Sequence, residues 1–309
     1  MYRGFPILLL TLLRCPREGC ALELDAGNPV HNGHVQRGNL RCHACHTLYQ
    51  VEDGIVKLFD PSALDQESQH ERALRDQPLA DDNTSWEQLP WSRMEVEPTL
   101  AALQPLSGSI VLELGCGGGR YTVFMADQAA AVLAVDFSRA ALKKLGSRVA
   151  SHWNIGLVQA DCTRLRLAGK AFDRILSTLV SNLPSPARRY AMFRLAANAL
   201  TSSGRFVFSV HHHTLVTRLR RVPQAGRYYD GGIFRYLFRR RELLEETQKY
   251  FRGVQCRPIQ ISLPFTDSFG QSNVTLSRIA ESIPLANQLG QLLLVTATEP
   301  CETATHEHT

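Results

Sequence analysis

The apolar positions of this chain follow two regimes. From about residue 95 to residue 300, short runs of Val, Leu, Ile, Ala and Phe alternate with longer mixed segments. Short apolar runs bounded by turn residues read as buried strands, and helix-length segments between them as helices packed on the sheet they form. The strands predicted this way are 109–114, 131–136, 156–159, 172–177 and 205–210, with helices at 121–128, 138–150 and 187–200 between most of them. A helix at 241–251, a strand at 254–263, a helix within 276–289 and a strand at 292–298 complete the series. Strands interleaved with helices predict an α/β domain built on a parallel sheet.

Before residue 95 this rhythm is missing. Residues 1–61 hold short apolar runs, several glycines and a group of cysteines, and predict a small separate module. Residues 62–94 are polar, and acidic in their first part, with no sustained apolar period; they predict a connector with some helix. The main domain then spans 95–300, and 301–309 reads as a frayed, disordered tail. The apolar run at 5–13 is shorter than the roughly 18 residues that a membrane span needs. Arg14 follows it and no small-residue cleavage site does, so it predicts a segment packed into the first module and a cytoplasmic protein.

Composition narrows the chemistry only a little. Of 309 residues, 44% are hydrophobic and 20% charged, enough for one large core and one small one. A formal net charge of +5 permits a nucleic-acid partner without demanding one. The cysteines say more. Cys15, Cys20, Cys42 and Cys45 crowd the first fifty residues, whereas Cys116, Cys162, Cys256 and Cys301 stand singly. In a reducing compartment such a cluster points to a metal before disulfides. Four thiolates in two knuckles about twenty residues apart can enclose a structural Zn²⁺, which supplies on the order of 10 kcal/mol of folding energy in model fingers. The first knuckle is wide, with four residues between Cys15 and Cys20, so His43 or His46 stand as substitute ligands. The alternative is a plain structural clip or a site without metal.

The segment Val111-Leu-Glu-Leu-Gly-Cys-Gly-Gly-Gly-Arg120 lies where a strand gives way to a helix. Glycines there allow a sharp turn and a close ligand approach. Asp136 ends the next strand, where a carboxylate can accept hydrogen bonds from two ribose hydroxyls. Counting from Gly115, the sixth position is Arg120, so the dinucleotide fingerprint is not met. Glu113, two residues before Gly115, disfavours a pyrophosphate and tolerates a positively charged sulfonium amino acid.

With these motifs, residues 106–299 resemble the class I S-adenosylmethionine-dependent methyltransferase family. The resemblance implies a Rossmann-like sheet of seven strands with the last antiparallel, beside the small zinc ribbon. It implies that Glu113, Gly115, Cys116, Gly117 and Gly119 hold the methionine part and Asp136, with its neighbour Phe137, the ribose. Gln159-Ala-Asp-Cys162 resembles the acidic motif after the third strand, which implies adenine contacts from Asp161 and Cys162. Phe172-Asp-Arg-Ile-Leu-Ser177 resembles the fourth-strand motif, whose end at Ser177 faces the methyl group. Ser202-Ser-Gly-Arg-Phe-Val-Phe208 resembles the turn into the fifth strand. In the N-terminal module, Leu12-Leu-Arg-Cys-Pro, Cys42-x-x-Cys45, Tyr49 and Asp53-Gly-Ile-Val resemble small zinc ribbons. Those relatives include the activator subunit of eukaryotic tRNA and rRNA methyltransferases and the N-terminal module of large-subunit rRNA guanine methyltransferases.

Methyl transfer needs an aligned nucleophile and, where that nucleophile carries a proton, a base. His211, in the run Ser209-Val-His-His-His213 after the fifth strand, is the nominated base; the competing reading makes the three histidines a solvated loop. Ser181-Asn-Leu-Pro184 only faintly echoes the Asn-Pro-Pro-Tyr motif of exocyclic-amine methyltransferases, so methylation of a base amine is not indicated. Arginines at 218, 220, 221, 227, 235, 239, 240 and 241, interleaved with Tyr228, Tyr229, Phe234, Tyr236 and Phe238, fit RNA tracking and stacking. They fit equally a lid hinged at Gly231-Gly232 over a small apolar substrate. The sequence leans slightly to a tRNA or rRNA methyltransferase, with a small-molecule or lipid methyltransferase and a non-catalytic cofactor-binding scaffold as alternatives. It leaves the oligomeric state open.

Overall fold

The computed structural model describes residues 2–59, 66–76, 90–180, 185–227, 232, 234–261, 271–283 and 286–302. Tyr228, Tyr229, Gly231, the 181–184 segment and 303–309 lie outside the described residues. The main sheet has eleven strands: β1 (Leu22–Leu24), β2 (Gly38–Cys42), β3 (Leu48–Glu52), β4 (Ile55–Lys57), β5 (Ile110–Leu114), β6 (Ala131–Asp136), β7 (Ile155–Gln159), β8 (Phe172–Thr178), β9 (Leu200–His211), β10 (Phe251–Ile259) and β11 (Leu292–Pro300). Among the described residues eight α-helices accompany them: α1 (Gln66–Asp76), α2 (Pro90–Leu103), α3 (Thr122–Ala126), α4 (Arg139–Arg148), α5 (Pro186–Ala199), α6 (Leu215–Leu219), α7 (Arg240–Thr247) and α8 (Gln271–Glu281).

All seven predicted strands of the main domain form, in the order β10-β11-β9-β8-β5-β6-β7. β5 pairs in parallel with β6 and β8, and β11 runs antiparallel to both β9 and β10, as the family resemblance implies. The apolar runs are central strands because helices cover both faces: Val111, Leu112 and Leu114 of β5 and Val132 to Val135 of β6 are buried. Ser138 caps α4 by accepting from the Ala141 N–H, and Ser185 caps α5 by accepting from the Arg188 N–H.

The sheet does not stop at β7. β4 pairs in parallel with it, Leu157 opposite Ile55 and Val158 opposite Val56, and β3, β2 and β1 follow outward. The cysteine-bearing module thus covers what would otherwise be an open edge, where unpaired N–H and C=O groups invite association. The 5–13 run adds to this junction. Phe5, Leu9, Leu12 and Leu13 are buried, and Tyr2 Oη donates to the Ile155 carbonyl at 2.6 Å.

The stretch predicted as a connector carries α1 and the start of α2, which runs past residue 94 and packs beside the sheet. α1 lies across the carboxyl ends of β6 and β7. Ser138 Oγ at the head of α4 donates to Asp76 at 2.6 Å, and Arg188 at the head of α5 donates to Ser68. Arg72 stacks over Phe59, and Glu67 pairs with Arg227 at 2.6 Å.

Candidate functional site

The turn from β5 into α3 needs left-handed backbone at three places: φ is +74° at Gly115, +51° at Gly117 and +87° at Gly119. The Gly115 and Cys116 N–H groups both donate to the Val135 carbonyl, at 2.8 and 3.0 Å, which ties the turn to β6. The three glycines then differ in purpose. A Cβ at Gly115 would stand 2.0 Å from Val180 Cγ2, and one at Gly119 would stand 2.4 Å from Leu145 Cδ1. A Cβ at Gly117 would have nothing within 4 Å. Two of the glycines let neighbours pack; the middle one faces open space.

Asp136 stands beside that opening. Its Oδ2 accepts the Gly117 N–H at 2.8 Å and its Oδ1 the Ser138 N–H at 2.9 Å. These two bonds make the carboxylate a brace for the turn.

Asp161, just past β7, accepts from the Thr163 N–H and hydroxyl at 2.8 and 2.7 Å, and pairs with Arg188 at 3.1 Å. Gln159 donates to the Phe137 carbonyl at 3.1 Å, which fixes the chain after Asp136. Glu113 is buried beneath the turn, where it accepts from Thr122 Oγ1 at 2.5 Å. Burial, with the nearby Asp136 charge, pushes its carboxyl up to about 8, so it is mostly protonated at neutral pH. The sequence argument from a free carboxylate at this position therefore has to yield: Glu113 is a buried acid braced on α3. Burial likewise raises the Cys116 and Cys162 thiols, so they are neutral. Ser177 is buried with its hydroxyl 3.7 Å from Met192 Sδ, which leaves only its backbone to face the cleft.

Residues 111–204, from β5 into β9, match the family model described as a methyltransferase domain. Phosphoethanolamine N-methyltransferase 3 of Arabidopsis thaliana is 36% identical over 80 residues, 25% of this chain and 16% of that protein. The chain thus spans about a sixth of that relative's length. Among solved structures, the N-methyltransferase NodS of Bradyrhizobium japonicum WM9, in complex with S-adenosylhomocysteine, superimposes with a TM-score of 0.54 at 16% identity. The match covers 75% of this chain and 99% of that one. Phosphoethanolamine N-methyltransferase 1 of Haemonchus contortus, with phosphoethanolamine and S-adenosylhomocysteine, gives a TM-score of 0.54 at 16% identity over 79% of this chain and 52% of that one. Residues 111–204 thus form a methyltransferase domain, on the fold that NodS and the Haemonchus enzyme share.

In this methyltransferase domain, His211 ends β9 and is pushed down to about 4, first by burial and then by the Arg235 charge. It is neutral at physiological pH. The histidine run is not a solvated loop. His212 Nδ1 bonds to the Gly290 carbonyl at 2.7 Å and His213 Nε2 to the Val222 carbonyl at 3.1 Å, and both residues are buried.

The arginine-rich segment keeps its arginines outward, at 218, 220, 221, 227 and 239–241, and turns two of its rings inward. Tyr236 and Phe238 pack against the buried Arg189 guanidinium, 4.5 and 5.1 Å from their centroids, and Arg189 pairs with Glu246 at 2.8 Å. Tyr236 Oη donates to Glu242, Arg227 pairs with Glu67, and Arg241 with Glu245. Rings so placed do not form a stacking surface for bases. Arg188 and a buried Glu95 on α2, which pairs with Arg120 at 2.8 Å, escaped the sequence reading. For Glu95 a signal exists: Ser92, Glu95 and Thr99 fall at helical spacing on one face.

The cysteine knuckles converge. Cys15 and Cys45 sulfurs are 3.7 Å apart and Cys20 and Cys42 sulfurs 3.0 Å apart; Cys15, Cys42 and Cys45 lie within 4.8 Å of one another. The wide first knuckle is closed by its own bonds, Gly19 N–H to the Cys15 carbonyl at 2.8 Å and Cys15 N–H to the Cys20 carbonyl at 2.9 Å. The Cys45 N–H points at Cys42 Sγ, 3.4 Å away, and Tyr49 Oη stands 3.1 Å from Cys15 Sγ. His43 instead faces Glu23 at 2.8 Å. No helix among the described residues is long and apolar enough to cross a membrane.

Proposed function

We propose that this chain is a cytoplasmic enzyme that transfers a methyl group from S-adenosylmethionine to a small polar molecule, with a structural Zn²⁺ in its N-terminal module. The observation that carries the reading is the open backbone at Gly117 beside the Asp136 carboxylate. When bound, the cofactor supplies a methyl group made electrophilic by its sulfonium. Asp136 holds the ribose hydroxyls, the glycine turn receives the methionine part, and the chain around Asp161 and Cys162 flanks the adenine. His211, neutral and at the end of β9, takes the proton that the acceptor loses. A base this weak suits a nucleophile whose proton becomes acidic as the new bond forms.

A small acceptor is favoured over RNA for two reasons. Tyr236 and Phe238 are spent on Arg189, and α1 lies over the cleft where a polynucleotide would need room. The relatives named as phosphoethanolamine methyltransferases support the same choice.

Cys15, Cys20, Cys42 and Cys45 fit zinc. A tetrahedron with zinc–sulfur bonds of about 2.3 Å has edges near 3.8 Å; the Cys15–Cys45 separation of 3.7 Å matches, whereas Cys20 and Cys42, at 3.0 Å, stand closer and would spread on binding the ion. Calorimetry with S-adenosylhomocysteine tests the cofactor half of the proposal: saturable one-to-one binding supports it, and none overturns it. Metal analysis of protein purified without added zinc tests the other half, with one equivalent expected and well below one contradicting it.

A further inference from the structure

The N-terminal half of α2 brings a polar face against the carboxyl ends of the sheet, where apolar residues would ordinarily pack. Glu95 is only 1% exposed. Its Oε2 pairs with Arg120 Nη1 at 2.8 Å, and its Oε1 accepts from Ser209 Oγ at 3.2 Å. Ser209 lies two residues before His211 on β9 and opposite Thr178 of β8, and Arg120 directly follows the glycine turn. Three further hydroxyls are buried on the same face of α2 and at the head of α3. Ser92 and Thr99 are 0% exposed and Tyr121 1%, and none of their oxygens has a hydrogen-bond partner. Tyr121 Oη stands beside Glu95 and Thr99.

Buried hydroxyls without partners are costly, and several on the helix face that carries a buried carboxylate is not how a helix is fastened to a sheet. An apolar face would stabilise the fold better. The grouping instead matches a ligand that satisfies them. We propose that Ser92, Glu95, Thr99 and Tyr121 form the acceptor subsite of the methyltransferase, and that it takes the amino group of a small amine. This rests on the reading that donor and acceptor meet over the carboxyl ends of β5, β8 and β9.

The donor and acceptor inventory selects the ligand class. Glu95 offers lone pairs only, and the hydroxyls can all accept. An acceptor-only group such as a phosphate or carboxylate would meet the Glu95 charge at close range. An amine brings N–H donors in either protonation state. Arg120 pairs with one Glu95 oxygen and Ser209 with the other, and a carboxylate oxygen can accept more than one donor.

The test uses the intact protein and three isosteric probes, n-butylamine, n-butanol and butyrate. Each is titrated by ligand-observed NMR, with and without saturating S-adenosylhomocysteine. The amine is expected to bind at least fivefold more tightly than the alcohol, with butyrate weakest. Glu95→Gln should weaken the amine about tenfold or more, and Tyr121→Phe and Thr99→Val by smaller factors, while S-adenosylhomocysteine affinity stays within about twofold. Wild-type protein that binds butylamine no better than butanol overturns the proposal without any variant. So does a folded Glu95→Gln protein that keeps the amine. Loss of S-adenosylhomocysteine binding in the wild type overturns the methyltransferase reading separately, because the probes are also read without it.

Discussion

Each oxygen of Asp136 already accepts a backbone N–H, from Gly117 and from Ser138, so its replacement disturbs the turn and the ligand together. Asp136→Ala is expected to weaken S-adenosylhomocysteine binding at least tenfold, about 1.4 kcal/mol, with Asp136→Asn in between; calorimetry on both variants decides. Glu113 makes a different prediction, about stability. Its carboxyl titrates at about 8 in the fold against 4.5 in the unfolded chain. The unfolded state therefore releases the proton first as pH rises. The stability Glu113 contributes is complete below about pH 4.5 and is lost progressively toward about pH 8, at about 1.4 kcal/mol per pKa unit of separation. Glu113→Gln should flatten the melting temperature against pH across that window; an unchanged slope would contradict the account. His211, depressed to about 4, places the acid limb of kcat/KM near pH 4 in place of 6.5, and His211→Ala should remove that limb along with most of the rate. At this scale the glycine turn and Asp136 were legible, because their partners lie within about twenty residues. The partners of Glu95 and Asp161 are Arg120, Ser209 and Arg188, brought in by packing that no local pattern announces.

The strands were the most readable elements, since burial on both faces leaves an unbroken apolar run. α2 was the least. Its buried face mixes Met94, Val96 and Leu103 with Ser92, Glu95 and Thr99, and Pro98 lies inside the helix, so the apolar period fails where the helix matters most. Nor does the alternation of Ile55 and Val56 say which edge they will join. The parallel pairing of β4 with β7 makes the N-terminal module part of the domain's own sheet. Val56→Pro, at a fully buried position paired on both sides, should cost about 3 kcal/mol or more and lower the melting temperature of the whole protein in one transition. A separate early transition with the domain's melting unchanged would show that the two parts are only lightly coupled. Cys42→Ser should lower both the zinc content and that same melting temperature.

As a whole, the molecule surrounds the carboxyl ends of its central strands. α1 lies over the β6–β7 end, α2 presents its polar face near β9, and the histidine run closes the far side. Arg220 and Arg221 remain exposed, yet Tyr236 and Phe238 face Arg189. The slight lean toward RNA arose because a sequence shows which residues are basic and aromatic without showing which way they turn. Enclosure favours a molecule that fits beneath α1, and that is the central claim. Its most direct test is methyl transfer from radiolabelled S-adenosylmethionine into a cell extract, followed by separation of RNA, protein and small-molecule fractions. The account predicts label in the small-molecule fraction, abolished by Asp136→Ala and strongly reduced by Glu95→Gln. Label confined to RNA would contradict it.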